Sequence, residues 1–237
     1  MNGAPSLDTI GFYSNDLADL TSMMCACTPL EATSETKSHL NVAVLRDPFI
    51  NENADKYVLD MLDGVVDLMQ TSDSIKVADV NRTIIDTLNS LRATVGPFEQ
   101  SKTLDSFIKN NAENLNKFSL RSHRNGSNIS PLDYFALFAE IREIREDFNQ
   151  LFSKYGCIIM PSAFDEAPEG HSSTGDASFN GPWTLLGFPV VNLPLKGGPN
   201  GMPLGLQVIG ASFSDIELIE AARKIWDELS GKDMTYF

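Results

Sequence analysis

The stretch Thr174 to Gly210, TGDASFNGPWTLLGFPVVNLPLKGGPNGMPLGLQVIG, constrains the fold more than any other part of the chain. Val190 to Leu195 and Leu204 to Ile209 are apolar runs of strand length, and Gly197-Gly198-Pro199-Asn200-Gly201 between them has the composition of a turn. The pair therefore predicts an antiparallel hairpin. Cys157-Ile158-Ile159-Met160, stopped by Pro161, reads as a buried strand, and Asn41 to Leu45 as another. Strands separated by long helical segments need crossovers, whereas the hairpin does not. The class is therefore α/β, with a mixed β-sheet flanked by helices.

Helical periodicity fills most of the remainder. Ser14-Asn15-Asp16 ahead of Leu17, Leu20 and Met24 predicts a capped amphipathic helix ending near Cys27. Residues 51 to 70 carry Val58, Met61, Leu62, Val65, Val66 and Met69 on one stripe, the pattern of a helix lying on a sheet. From Ala78 to Phe118 the chain is polar and weakly periodic, and two surface helices interrupted near Gly96-Pro97 are expected. Ser130, Pro131 and Asp133 open a long helix that runs through Tyr134, Ile141 and Phe148 to about Tyr155-Gly156. Ser214-Asp215-Ile216-Glu217 reads as a capping box that starts a last helix through Leu229.

At 237 residues and 42% hydrophobic content the chain can bury one sizeable core. A net charge of -14 repels nucleic acid and anionic membrane surfaces, so neither is an expected partner. The three cysteines, Cys25, Cys27 and Cys157, form no disulfide framework and fit a reducing compartment. Cys25-Ala26-Cys27 lacks zinc-type spacing, and His39, His123 and His171 are scattered, so no metal and no cofactor is expected. With no signal-type leader and no run of membrane-spanning length, a cytoplasmic location is expected.

Reactive side chains concentrate between Pro161 and Gly181, beyond a strand end, where α/β proteins bind ligands. They are Asp165, Glu166, Glu169, His171, Ser172, Ser173, Thr174 and Asp176. His171 and Ser172 with a nearby acid would supply the parts of a triad, but adjacent residues rarely face each other and no nucleophile elbow surrounds them. Asp165 and Glu166 have the chemistry of an acid and base pair, and equally that of solvated loop carboxylates. The chain's own residues thus indicate no reaction centre.

Two segments, residues 4 to 28 and 118 to 229, resemble amidase signature enzymes, while 29 to 117 is similar only in its helix-rich pattern. The likeness rests on Pro5-Ser6-Leu7-Asp8-Thr9-Ile10-Gly11-Phe12-Tyr13, Arg121 to Gly126, the Asp133-Tyr134 helix with Arg142 and Arg145, Met160-Pro161-Ser162, Ala167-Pro168, and Thr174 to Gly210, in the family's order. The resemblance implies a single partial amidase signature domain over 1 to 237, an incomplete version of that fold. Such enzymes cleave carboxylic amide C–N bonds through an acyl-enzyme on serine, with a second serine and a lysine relaying the proton.

In the family the lysine and a glycine-serine-rich segment precede the Ser-Leu-Asp-Thr element, and no Gly-Gly-Ser-Ser run occurs in this sequence. Ser162, Ser172, Ser173, Lys37, Lys56 and Lys196 do not match, so no catalytic residue is carried over and the chain is expected to be inactive alone. The resemblance implies a substrate side: Arg121, with Arg124 nearby, as a cation for a carboxylate, and Asp176, Asn180 and Trp183 lining an acyl pocket. Solvation of Arg121, turn bonding by Asp176 and Asn180, and core packing of Trp183 stand beside that reading. The implied partners are a small amide substrate once the domain is complemented, and a missing amino-terminal amidase part or a second copy. The alternative is a noncatalytic interaction subunit that completes an amidase whose catalytic part is on another chain.

Overall fold

The computed structural model describes residues 3–32, 38–232 and 234; Lys37 of the sequence reading lies outside them. Along the chain run α1 (Leu17–Cys27), β1 (Leu40–Arg46), α2 (Pro48–Asn53), α3 (Lys56–Gln70), β2 (Ile75–Asn81), α4 (Ile85–Thr103) and α5 (Asp105–Asn111). There follow α6 (Lys117–Ser127), α7 (Pro131–Phe152), β3 (Cys157–Pro161), α8 (Gly181–Leu186), β4 (Val190–Gly197), β5 (Pro203–Ile209) and α9 (Asp215–Leu229). The strands form one sheet in the order β2-β1-β3-β5-β4. β1 is parallel to both β2 and β3, whereas β5 is antiparallel to β3 and β4, so the sheet is mixed as expected.

Alternate side chains of the central strands feed two cores. Val42, Val44, Ile159, Leu206 and Val208 face α3 and α9, where they meet Leu62, Val65, Met69, Leu218 and Ile225. Ala43, Leu45, Ile158, Met160 and Ile209 face α4, α7 and α8, among Leu88, Val95, Ile141, Phe148 and Trp183. Burial on both faces is why β3 and the Val42 to Leu45 part of β1 read as unbroken apolar runs. It also pushes the Cys157 thiol up to about 12, which makes it a packing group.

The hairpin has the expected pairing, from Val190 opposite Ile209 to Leu195 opposite Leu204, with a bulge between Leu195 and Gly197. Glu166 pins its turn, accepting from the Asn200 amide N–H (3.0 Å), Asn200 Nδ2 (2.8 Å) and the Met202 N–H (2.8 Å). Burial of this carboxylate works to raise its pKa, but the donors from Asn200 and Met202 prevail and hold it below the ordinary value. Asp16 caps α1 through the Asp19 N–H at 2.8 Å, and Ser130 caps α7 through the Asp133 N–H at 3.1 Å, as the local sequence implies.

Four expectations are corrected. The polar stretch after Ala78 is not a pair of surface helices. β2 occupies its start as an edge strand, whose partly exposed faces leave it little apolar signature. α4 then runs unbroken through Pro97 and buries Ile85, Leu88, Leu91 and Val95. Residues 51 to 70 are not one helix, because α2 and α3 are separated at Ala54, whose backbone is extended. α7 stops at Phe152, before the expected end, and Ser214 makes no capping bond, its hydroxyl donating to the Ala211 carbonyl at 2.7 Å instead.

Two buried acids join these parts. Asp47, 1% exposed, accepts from the N–H groups of Phe49 (2.9 Å), Ile84 (2.8 Å) and Ile85 (3.1 Å), tying the starts of α2 and α4 to the end of β1. Glu99, 6% exposed, accepts from the Ser6 N–H (2.9 Å), the Ser6 hydroxyl and the Tyr134 hydroxyl (2.6 Å), docking the N-terminal turn between α4 and α7. Tyr134, stacked on Phe98 at 4.1 Å, is pushed up to about 12, first by burial and then by its bond to Glu99.

The crossing of α4 by α6 depends on Gly126, because a Cβ there would stand 1.8 Å from the Pro97 carbonyl oxygen. Gly126→Ala should cost about 1–3 kcal/mol through overpacking against backbone, read as a lower urea midpoint. For Glu166 the sign follows from its depressed pKa: the stabilisation is full above the unfolded value, near 4.5, and is lost as pH falls through the folded value. The melting temperature of the wild-type chain should exceed that of Glu166→Gln at neutral pH, and the gap should shrink as the pH drops below about 4.5. A gap that widens in acid would refute this assignment.

Candidate functional site

At the end of β3 the chain leaves the sheet and runs as a long loop to α8. Gln207 on β5 fixes both ends of that loop, its Nε2 donating to the Pro161 carbonyl (2.8 Å) and the Phe179 carbonyl (2.9 Å). Phe179 packs edge-on to Phe164 at 4.5 Å, and Phe49 closes the cluster at 6.1 and 6.4 Å. Asn89 on α4 donates from Nδ2 to the Ser178 carbonyl at 3.0 Å. Loop 176–181 is therefore held from below by β5 and from the side by α4.

α8 carries Pro182 in its first turn, where the missing N–H costs nothing, and is capped at its C-terminal end by Gly187 with φ +68. Arg145 on α7 donates from Nε to the Leu186 carbonyl at 2.8 Å, completing the C-terminal end of α8. Trp183 is fully buried and meets Phe148 edge-to-face at 5.5 Å.

The four residues expected on a substrate side do not share one environment. Asp176 and Asn180 are exposed on the loop, and Asp176 accepts from the Ser178 N–H at 2.7 Å, a local turn bond. Trp183 lies beneath them in the core, so here it acts as the foundation of the loop. Arg121 is exposed on α6 and makes no ion pair among the described residues. α6 crosses α4 beside Pro97 and Phe98, whereas the loop rests on α4 at Asn89 and Arg92. At 1.5 Å per residue these stations are roughly 8–14 Å apart along the helix.

The reactive side chains of the loop are largely engaged in structure. Glu166 holds the hairpin turn, Asp165 accepts from the Glu166 N–H at 2.5 Å, Ser173 accepts from the Gly175 N–H at 3.1 Å, and Ser162 bonds to Asn192 on β4. His171 and Ser172 are exposed and make no hydrogen bond to each other. Among the described residues no group of three or more His, Cys, Asp or Glu could hold a metal ion, and no helix is long and apolar enough to cross a membrane.

Sequence reasoning missed Asn89 and Arg92. They stand three positions apart on α4, on one face of the helix, and their side chains meet, with Arg92 Nη2 donating to Asn89 Oδ1 at 3.3 Å. The signal for them was two polar residues at helical spacing bordering the Leu88 and Leu91 stripe.

Known proteins are similar to this chain in fold and in sequence. The family model described as Amidase matches residues 3–219. A glutamyl-tRNA(Gln) amidotransferase subunit of Borreliella afzelii is 24% identical over 284 residues, covering 95% of this chain and 56% of that protein. Fatty acid amide hydrolase of Medicago truncatula is 28% identical over 120 residues, 44% of this chain and 20% of its own length. A crystal structure of an amidase superposes with a TM-score of 0.77 at 17% identity, over 88% of this chain and 50% of the other. The corresponding glutamyl-tRNA(Gln) amidotransferase subunit from Thermotoga maritima gives 0.69 at 20% identity, over 98% and 56%. These structural likenesses speak for the shared sheet and its flanking helices, and the chain spans about half the length of the amidotransferase relatives it matches throughout. Because the family match runs from the Glu99-docked turn through loop 176–181 and the hairpin into α9, the chain belongs to the amidase family.

Proposed function

We propose that this chain is the substrate-side portion of a hydrolase acting on carboxylic amide C–N bonds, with the acyl-accepting serine and its lysine relay supplied from outside these 237 residues. One observation carries the reading: the family match extends over residues 3–219, yet Ser162, Ser173, Asp165, Glu166 and Asp176 of the reactive loop are spent on turns, on the hairpin and on β4. Acyl transfer needs a nucleophile bonded to its base and donors aimed at the developing oxyanion. In this reading Asp176 and Asn180, exposed on loop 176–181, would be the polar contacts to a small amide, with Trp183 holding that loop from the core. Arg121 on α6 would stand farther along α4 as a second polar contact. The three free cysteines accord with a reducing, cytoplasmic setting.

A second reading is favoured by β4, an edge strand with Val190 41% exposed, together with relatives that are themselves named as subunits. In it the chain is a noncatalytic component whose sheet is completed by a separate polypeptide bearing the lysine and serines.

Purified chain offered a panel of simple carboxamides should release no ammonia above the buffer rate. Mixing it with a polypeptide that carries the family's lysine and glycine-serine segment should restore release and give co-elution on a sizing column. Steady turnover by the chain alone overturns the first reading. Absence of both co-elution and activity in the mixture overturns the second.

A further inference from the structure

We infer that the concavity across the tips of β1 and β2 binds a phosphate group, carried by a small phosphate ester or present as the free ion. The inference is independent of the proposed hydrolysis. The concavity has a volume of about 380 Å³ and is lined by Arg46, Pro48, Asn51, Asn81, Arg82 and Thr83. It lies beyond the C-terminal ends of two parallel strands, the end of an α/β sheet at which ligands are held. Its size is at the low end of small-molecule pockets, ~300–1,000 Å³, which leaves room for a phosphate and a short organic group.

The lining supplies donors. The chain holds 32 acids against 18 basic residues, yet no carboxylate lines this concavity, and Arg46 and Arg82 both do. Arg46 is oriented by two residues outside the lining, its Nε donating to Asp79 at 3.0 Å and its Nη1 to Asp63 at 2.8 Å, so Nη2 remains to donate. The Arg82 side chain forms no ion pair among the described residues, and its hydrogen bonding there is a 3.5 Å contact from Nη1 to the Asn81 carbonyl. Backbone fixes the pair: the Arg82 N–H donates to the Arg46 carbonyl at 3.0 Å, one step beyond the β1–β2 ladder. The side-chain amides of Asn51 and Asn81 and the Thr83 hydroxyl make no hydrogen bond among the described residues.

Asp47 already meets the N–H groups of Ile84 and Ile85 at the start of α4, so recognition falls to these side chains. Two guanidinium groups, two amides and a hydroxyl suit a tetrahedral dianion with several acceptor oxygens better than a carboxylate, which offers two oxygens and one charge. A second concavity shares Arg82 but is lined also by Asp147, Gln150, Leu151 and Lys154. Its own carboxylate opposes an anion, which makes Lys154 the control.

The test is titration of the full chain with glycerol 3-phosphate, inorganic phosphate and acetate at constant ionic strength and roughly pH 8, where the phosphates are dianions, read by amide chemical shifts. Either phosphate should bind at least about tenfold more tightly than acetate and shift the side-chain amides of Asn51 and Asn81 and the Thr83 N–H. Arg82→Gln should weaken phosphate about tenfold, and Lys154→Gln by less than about twofold. Tighter binding of glycerol 3-phosphate names an ester as the occupant and tighter binding of inorganic phosphate names the free ion, and both uphold the site. No binding of either phosphate, equal affinity for acetate, or shifts confined to other residues would each overturn the assignment. So would equal weakening by Lys154→Gln, the mark of diffuse charge attraction. Should Arg82→Gln fail to fold, the wild-type shift map and the acetate comparison decide. Because binding is read without an amide substrate, its failure leaves the proposed hydrolysis untouched, and absence of hydrolysis in any mixture leaves this assignment standing.

Discussion

The ladders on either side of β3 are what the rest of the structure depends on. Five residues, Cys157–Pro161, are buried on both faces and bonded along both edges, parallel to β1 and antiparallel to β5. An interior strand of this kind must be apolar throughout and has no tolerance for a register slip, since a shift of one residue would exchange its two cores. Its end at Pro161 sets where the long loop departs. Gln207, on the neighbouring strand, returns the loop to the sheet at Phe179.

Polar groups in the interior then place the layers. Asp47, Glu99 and Glu166 lie apart in the sequence, yet each is a buried or nearly buried carboxylate satisfied by N–H or hydroxyl donors rather than by a cation. Each joins a loop or terminus to a regular element: helix starts to β1, the N-terminal turn to α4, and the hairpin turn to the loop after β3. In a chain of net charge -14, carboxylates held by backbone donors serve structure without drawing on the few cations present. That economy leaves Arg92 conspicuous as a half-buried cation with an unmet donor.

Elements whose signal is local were legible before the structure. The hairpin, the ends of β1 and β3, the cap of α1 by Asp16 and that of α7 by Ser130 all follow from nearby residues. Elements defined by distant partners were not. β2 is polar because it is an edge strand, and α4 looks like an interrupted surface helix because its burial comes from α6 and α8, which the local pattern cannot display. Ser214 has the residues of a capping box, but tertiary packing turned its hydroxyl to Ala211. The family resemblance over the two terminal segments was legible in motifs, and the match over residues 3–219 extends it through the region between them.

The sequence by itself determined the class of fold and the polarity of the loop between Pro161 and Gly181, because apolar periodicity and turn composition act over a few residues, and its ordered motifs carried the family resemblance. Only the tertiary structure decided which of those polar side chains are occupied. Glu166 closes a hairpin, Asp176 closes a turn, Trp183 supports the loop from the core, and Arg92, arriving from a helix far earlier in the chain, lies against Gly181 with a donor to spare. A hydrogen bond depends on where two groups meet in space, and for these residues the meeting is made by the packing of α4 and α8 at the end of the sheet.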